Sequence, residues 1–465
     1  MNIGLPIAVL LGSVFGVLLW FLPVSKLAIL LVGVALALTL MRKPLWGLLI
    51  FALLATSIPY TTVQVGIRTT VSEGVLMLTW VAVFWQGFLG RNRGLLHWHP
   101  VERSLAMLMA YSALPFVVGM LIISAEGNGP VNWVRWLMNL SLLFLVPLLL
   151  RTERDRDQLV VALLLGNLIM LSLSIFMFLK DRDANTMIPI LTDLKYAHPE
   201  AIKDIFSANY QRMASPWVHP NLTGGILALM VPLALLYGWT RTGWRRTLGL
   251  TVAIMGAAGL LFSISRGAIV ALVLVLFWLS YKRVPYSGRI IGLGAAFGAA
   301  LVMFYPPLQE RLLSMFSASN ASTEIRFEEY AMFPEAMARY PLGIGFKVDP
   351  PVPGSGLLGI SNLWLNFIYK IGLPGMALFV VVTTLWWRAV RPMGRVPAIT
   401  HENALWLGSL RGVLAALLTG IFDHYYSSTF VVIGLFWLLA GFSLQQVRLY
   451  PQQTRNGCAT KDDLP

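Results

Sequence analysis

The chain has 465 residues; 57% are hydrophobic and only 12% are charged, and the mean hydropathy is +0.71. A soluble domain carries about twice that charged share, so a soluble globule is excluded, as are disordered and collagen-like chains. The single cysteine, Cys458, permits no internal disulfide, and the formal charge of +14 must be explained by where the basic residues sit.

A bilayer span needs roughly 20 mostly apolar residues. Apolar segments fall near 4–22, 27–41, 45–59, 74–89, 104–123, 133–150 and 158–179 in the first part of the chain. Seven more follow near 222–238, 248–264, 267–281, 289–305, 361–386, 404–420 and 428–446. The first three are crowded, and the second and third are short. The expected fold is therefore an all-α, polytopic membrane helix bundle of about 12–14 transmembrane helices. Met1–Leu22 lacks a basic n-region and a small-residue cleavage site, so it reads as a span and not as a signal peptide.

Arginine and lysine alternate between loops. One set contains Arg42, Lys43, Arg91, Arg93, Arg103, Arg151, Arg154 and Arg156. It continues through Arg241, Arg245, Arg246, Lys282, Arg283, Arg289, Arg388, Arg391, Arg395 and Arg411 to the tail residues Arg448, Arg455 and Lys461. That face carries the whole net charge of +14 and the other is neutral. The positive-inside rule makes the basic face cytoplasmic, with both termini on it. The surplus is thus a topology signal, and no nucleic-acid partner is expected.

The organisation that follows is N-terminal transmembrane helices over 1–179, a periplasmic loop over 180–221, and transmembrane helices over 222–305. A large periplasmic loop with helices spans 306–360, C-terminal transmembrane helices span 361–446, and a cytoplasmic tail spans 447–465. Loops as long as the two outer ones are usually functional, although loops that only cap the bundle are the plain alternative. Within the second, Ser322–Tyr340 reads as a helix with Glu324 in its first turn and an apolar side at Ile325, Tyr330, Phe333 and Met337. Pro334 is expected to kink or split it, and Pro341 and Gly343 to end it.

Candidate chemistry lies in these outer segments. Asp181 and Asp183 are two apart, but no further ligand pattern accompanies them and no metal site is expected. Arg212 precedes Ser215-Pro-Trp-Val-His219-Pro220-Asn221, which combines a fixed cation, an imidazole and two stiffening prolines; an ordinary loop is the alternative. Arg266 stands in Ser263-Ile-Ser265-Arg266-Gly267 between two spans with almost no loop. A guanidinium there needs an anion, a carbonyl or a wet cavity, unless it is a snorkelling anchor. Arg326 and Tyr330 share one helix face at i, i+4, while Glu329 at i+3 offers a surface ion pair as the alternative. Asp349–Gly359 reads as a flexible gate before Ser361. Asp423-His424-Tyr425-Tyr426 fills a very short loop between the last two spans, and Asp423 or His424 could serve as general base or merely cap and pack. Three arginines on a face of no net charge suit a polyanion such as a diphosphate, because guanidinium forks match phosphate oxygens.

No Walker A, nucleophile elbow, HExxH or Cys/His cluster occurs, and ionisable residues inside the spans are scarce. This disfavours a pump and weakens an ion-coupled transporter.

These motifs together resemble the O-antigen ligase and O-antigen polymerase superfamily, bacterial membrane glycosyltransferases of the GT-C type. The likeness runs over roughly Arg212–Trp437. Its carriers are the Ser215–Asn221 and Ser263–Gly267 motifs, Glu324-Ile-Arg326, and Tyr340-Pro341-Leu-Gly343-Ile-Gly345-Phe346. Ser361-Asn362, Ile371-Gly372-Leu-Pro-Gly375 and Phe422-Asp423-His424-Tyr425 complete them.

The resemblance implies transfer of a glycan from an undecaprenyl-diphosphate-linked oligosaccharide donor to an acceptor hydroxyl on the periplasmic face of the bacterial inner membrane. No cofactor and no metal are implied. Arg212, Arg266 and Arg326 would hold the diphosphate, with Ser265, Tyr330, Ser361 and Asn362 lining the site and Asp423, His424 or His219 as base. The acceptor would be another glycan (a polymerase) or lipid A-core or a protein (a ligase), in the bilayer and alongside other polysaccharide-assembly proteins. Family ligases show His-Asn where this chain has Ser361-Asn362. A serine is a poor unassisted base, and this tilts the expectation toward polymerase, with a flippase of the same lipid-linked sugars as a further alternative.

Overall fold

The computed structural model describes residues 24–450 except 66, 91–97, 125–126, 181–186, 198, 201–211, 215, 282–285, 305, 307–308, 310–320, 349–353, 356, 358, 394–395 and 397. The expected first span, the Asp181/Asp183 pair, Ser215, most of the Asp349–Gly359 gate and the polar tail with Cys458 lie outside the described residues. The described chain is helical apart from one antiparallel hairpin, β1 (Thr62–Val65) with β2 (Ile67–Thr70), in which Thr62 pairs with Thr70.

The helices in order are α1 (Val24–Arg42), α2 (Pro44–Ser57), α3 (Val71–Phe88), α4 (Pro100–Tyr111), α5 (Ala113–Ile122) and α6 (Gly129–Leu140). Then come α7 (Leu142–Leu149), α8 (Glu153–Lys180), α9 (Ile188–Asp193), α10 (Pro220–Thr240), α11 (Gly243–Ser263) and α12 (Arg266–Tyr281). The last are α13 (Ser287–Phe304), α14 (Ala321–Arg339), α15 (Leu363–Val390), α16 (Ala404–Thr419), α17 (Tyr425–Ser428) and α18 (Phe430–Leu449). Among the described residues, 8 helical stretches are long and apolar enough to cross a membrane, and the shorter apolar helices α1, α2, α12, α13 and α16 stand beside them. An all-α polytopic bundle is what the hydropathy pattern demands.

Local chemistry starts these helices where the sequence supplies caps. Thr70 and Glu73 form a reciprocal capping box on α3, and His99 with Glu102 forms another on α4. Proline occupies the first turn of α2, α4 and α10, where its missing N–H costs nothing. The α4/α5 and α6/α7 stretches are interrupted at Ser112 and Ser141. Their hydroxyls donate back to Met109 and Met138 and accept from Trp133 and Trp80.

The most enclosed helices are α10 and α18, around which the others pack. Close approach is made possible by small residues. A Cβ on Gly412 of α16 would fall 2.0 Å from the Leu229 carbonyl of α10, and one on Gly249 of α11 would fall 2.5 Å from the Gly238 nitrogen. Buried carboxylates are paired at both ends of the bundle. Arg135 of α6 forks onto the fully buried Glu73 at 2.7–3.1 Å and lies 4.1 Å over the Phe430 ring, at the start of α18. At the other end of α18, Arg448 pairs with Glu102 at 2.9 Å. Near the α8 start, Asp157 receives Tyr237, Arg241 and Arg245.

Of the two outcomes expected at Pro334, the split does not occur: α14 runs from Ala321 through Arg339 as one element. Its side with Phe333, Ala336 and Met337 packs on Tyr340, Ile344, Ile360 and Tyr369. Burial on that side holds the helix together despite the lost backbone hydrogen bond.

Candidate active site

Three chain segments meet at the start of α10. His219 caps this helix, its Nδ1 accepting from the Asn221 N–H at 3.1 Å. The preceding Val218 takes a left-handed φ of 64°, which turns the chain into the helix. Arg212 lies alongside. Its Nε donates to the Ser263 carbonyl at 2.8 Å, and its Nη2 reaches Asn221 Oδ1 and the Ile264 carbonyl. The C-terminal end of α11 has orphan carbonyls, and Arg212 satisfies one of them.

The turn between α11 and α12 is the second segment. Ile264 adopts φ 52°, and Ser263 Oγ accepts from the Ser265 N–H at 3.4 Å. Ser265 is buried against Gly224 of α10, where a Cβ would come within 2.3 Å of it. Gly267 is similarly tight, at 2.8 Å, against Phe422. Arg266, the first residue of α12, is held between these two contacts and is half-buried.

The third segment is the loop between α16 and α17. Asp423 follows Phe422, and its side chain is only 13% exposed. The Arg326 guanidinium of α14 lies 4.0 Å from it, and among the described residues the buried Arg326 Nε has no hydrogen-bond partner. The Tyr425 hydroxyl is buried and turned toward the same carboxylate. Burial pushes the Asp423 carboxyl up to about 7, against the opposing pull of Tyr425, Arg326 and Arg212, and Glu329 adds to the rise. The His219 imidazole goes the other way, down to about 4, because it is buried and then because Arg212 and His424 are near. With Nδ1 committed to the helix cap, a neutral His219 carries its proton on Nε2. Its ring is 6.4 Å from that of Tyr425, which in turn is 5.9 Å from the ring of His424.

The start of α15 joins this group. Asn362 caps the helix by accepting from the Trp364 and Leu365 N–H groups, and its Nδ2 donates to the Ile421 carbonyl at 2.9 Å. The Leu363 N–H reaches the Gly420 carbonyl at 2.7 Å. Glu329 accepts from the Ser361 N–H at 2.8 Å and from its hydroxyl at 3.4 Å, and the Tyr330 hydroxyl lies 3.5 Å from the Ser361 carbonyl. Glu329 therefore engages Ser361, while Arg326 faces Asp423. The local i, i+3 pairing suggested by the sequence is replaced by contacts far along the chain.

A break inside α15 fixes this geometry. Pro374 has no N–H for the Lys370 carbonyl, and Gly372 sits at φ 71°. The freed carbonyls of Tyr369 and Lys370 accept from the Ile344 and Gly345 N–H groups, both at 2.9 Å. Gly343 and Gly345 take φ 83° and 73°, and a Cβ on Gly343 would come 2.5 Å from the Lys370 carbonyl. So the Tyr340–Phe346 motif replaces the helix's own donors and locks the end of α14 to α15, as buried irregular backbone requires.

Arg212, His219, Arg326, Tyr330, Ser361, Asn362, Asp423 and His424 are thus gathered around one set of element ends, with the Ser265–Arg266 turn beside them. Glu329, Asn221 and Tyr425 also belong to the group. The sequence reading missed them as site members because Glu329 had a nearer partner and the other two had none in view.

Residues 250–380 match the family model described as O-antigen ligase. The match spans 131 of the chain's 465 residues. The matched stretch begins in α11 and ends in α15, so it contains the Ser263–Gly267 turn, Arg326, Glu329 and Ser361-Asn362. Arg212, His219 and Asp423 come from loop and helix-cap positions flanking the matched stretch and complete the cluster around it. The match and the apolar helices support a multi-pass membrane enzyme of the O-antigen ligase and polymerase type. No curated protein matches the chain.

Proposed function

We propose that the protein is a glycosyltransferase that moves a glycan from undecaprenyl diphosphate to a sugar hydroxyl on the periplasmic side of the inner membrane, and that it extends a polysaccharide. The single observation that carries this reading is the meeting of Arg326, Arg212 and the near-neutral carboxyl of Asp423 beside the Ser265–Arg266 turn. An arginine cluster can stabilise charge as it develops on a departing diphosphate, the strategy that usually contributes most to such catalysis. Guanidinium groups do this without a divalent ion.

In the proposed step Asp423 takes the proton of the acceptor hydroxyl. The hydroxyl oxygen attacks the anomeric carbon, the bond from that carbon to the diphosphate oxygen breaks, and the electron pair leaves on the diphosphate. Arg212, Arg266 and Arg326 receive that charge. A carboxyl near 7 is well matched to this task, because enough is ionised at neutral pH and its proton affinity is high. Of the other bases considered, His219 has its lone pair in a helix cap, and His424 stands as the alternative. The basic loops place both termini and the charged tail in the cytoplasm in this reading.

The family description favours a second reading, a ligase acting on lipid A-core. Purified protein in lipid, given a synthetic undecaprenyl-diphosphate oligosaccharide and chelator, separates the two. A ladder of longer lipid-linked glycans supports the polymerase. Transfer only after lipid A-core is added makes it a ligase. No transfer to either acceptor overturns the glycosyltransferase reading in favour of a carrier of the same lipids.

A further inference from the structure

An open groove of about 940 Å³ runs along the bundle between α3, α4 and α6/α7. Its walls are Trp80, Phe84 and Gly87 of α3, Trp98 and Ala106 at α4, and Phe144 of α7. From Met77 to Phe88 the α3 wall is ~16 Å long, at 1.5 Å per residue. The polar side chain in the wall, Ser141, is already satisfied: it donates to the Met138 carbonyl and accepts from Trp80 Nε1. Apart from the Trp98 indole N–H at one end, the rest of the lining is apolar, so the groove suits hydrocarbon.

One end of the groove is basic. Arg103 precedes Ala106 by three residues, and so lies on the same face of α4, and it is exposed. Leu148, on the opposite wall, is followed three residues later by the exposed Arg151, whose Nε bonds the Leu148 carbonyl at 3.0 Å. Trp98 stands at the same end, tilted on Phe144 at 5.6 Å, as an amphipathic ring at a membrane interface would. Arg103 also adjoins Glu102, the partner of Arg448 at the C-terminal end of α18. The Asp423 loop lies beyond the N-terminal end of α18, ~27 Å away along that helix. The basic end of the groove is therefore far from the diphosphate site proposed above.

We infer that this groove seats an anionic phospholipid, with acyl chain against Trp80, Phe84 and Phe144 and its phosphate between Arg103 and Arg151. The charge at one end and the dry hydrocarbon wall along the rest match the two halves of such a molecule. This site is independent of the transfer chemistry.

The test is native mass spectrometry of the full-length protein released from detergent containing phosphatidylglycerol or phosphatidylcholine of the same acyl chains. The native protein retains phosphatidylglycerol in preference, by about five-fold for each arginine. Arg103→Ala with Arg151→Ala brings the two lipids to equal retention. Gly87→Trp fills the groove and lowers retention of both. A Cβ at Gly87 meets nothing within 4 Å, so this change leaves the packing intact, and Gly87→Leu is a smaller plug should the indole prove too large. Val270→Trp, on the exposed face of α12, is the control and changes nothing. Equal retention of the two lipids by the native protein, or native retention in a monodisperse Gly87→Trp protein, overturns the inference. So does displacement of phosphatidylglycerol by undecaprenyl phosphate at equal concentration, which would make the occupant an isoprenoid.

Discussion

Glu329 on α14 accepts hydrogen bonds from both the backbone N–H and the hydroxyl of Ser361, the residue that leads into α15. Asn362 then caps that helix and ties it to the Asp423 loop through the Ile421 carbonyl. A carboxylate on one element thereby sets the position of a helix start on another. Glu329→Ala is expected to loosen this joint, while Ser361→Ala, which removes only the 3.4 Å contact, leaves it nearly intact. A hydrogen bond to a charged acceptor contributes about 1.5–3 kcal/mol. Amide exchange over residues 361–365 should rise about 10-fold or more in the glutamate variant and less than about 2-fold in the serine variant. Equal exchange in both would show that Glu329 holds nothing.

Arg266→Ala and Arg326→Ala should each abolish detectable product with little loss of folded protein. Removing one charge-stabilising donor typically costs ~10²–10³ in rate. Lysine at either position should also fail badly, since a point charge replaces a fork. Product ladders and size-exclusion profiles measured side by side decide the matter. Full activity in both alanine variants would sink the diphosphate assignment.

The Asp423 carboxyl is raised to about 7 by its burial, so its ionised, proton-accepting form appears as pH climbs through that value. Below it the rate should fall about tenfold per pH unit, and above it the rate should level off. Asp423→Asn should reduce the rate by ~10²–10⁴ and flatten that limb. A native-like pH profile in the asparagine variant would move the base to another residue, with His424 next to be tested.

A half-buried Arg135 pairs with the fully buried Glu73 beneath the start of α18. Removing Arg135 alone leaves a fully buried carboxylate uncompensated, a change that costs about 3–5 kcal/mol. Arg135→Met should therefore lower Tm in detergent more than the double change Arg135→Met with Glu73→Gln. If the double variant melts lower than the single one, the pair is stabilising in its own right.

Gly343 and Gly345 hold positive φ against the break in α15. Alanine at Gly343 would put a Cβ 2.5 Å from the Lys370 carbonyl in a conformation that costs about 1–3 kcal/mol before any clash. Gly343→Ala should lower both Tm and yield. The same change at Gly33, where a Cβ meets nothing within 4 Å, should lower neither.

Much of this architecture was legible from residue order alone. Apolar runs long enough for a bilayer have few foldings open to them, because lipid offers the backbone no partners. The helices α1 to α8, α10 to α13, α15, α16 and α18 accordingly fall where the hydropathy does, α9, α14 and α17 lie in the outer loops, and the expected first span lies outside the described residues. The Ser263–Gly267 turn was also visible, since little chain separates two apolar runs there. At Pro334 the sequence left a kink or a split open, because a proline's local cost is known from residue order while the burial of Phe333 and Ala336 that keeps α14 one element is not.

Pairing was the part that residue order could not supply. Glu329 stands three residues from Arg326, which is enough to suggest an ion pair on a helix surface. In the folded chain Ser361 offers Glu329 a backbone donor, and the Arg326 guanidinium faces Asp423, 97 positions further along. Composition and periodicity determined that the chain is a membrane helix bundle with arginines at its element ends, because both follow from the solvent each residue tolerates. Which arginine meets which carboxylate was decided only by the tertiary structure, because burial of the Asp423 loop and the break in α15 set distances that no local spacing encodes.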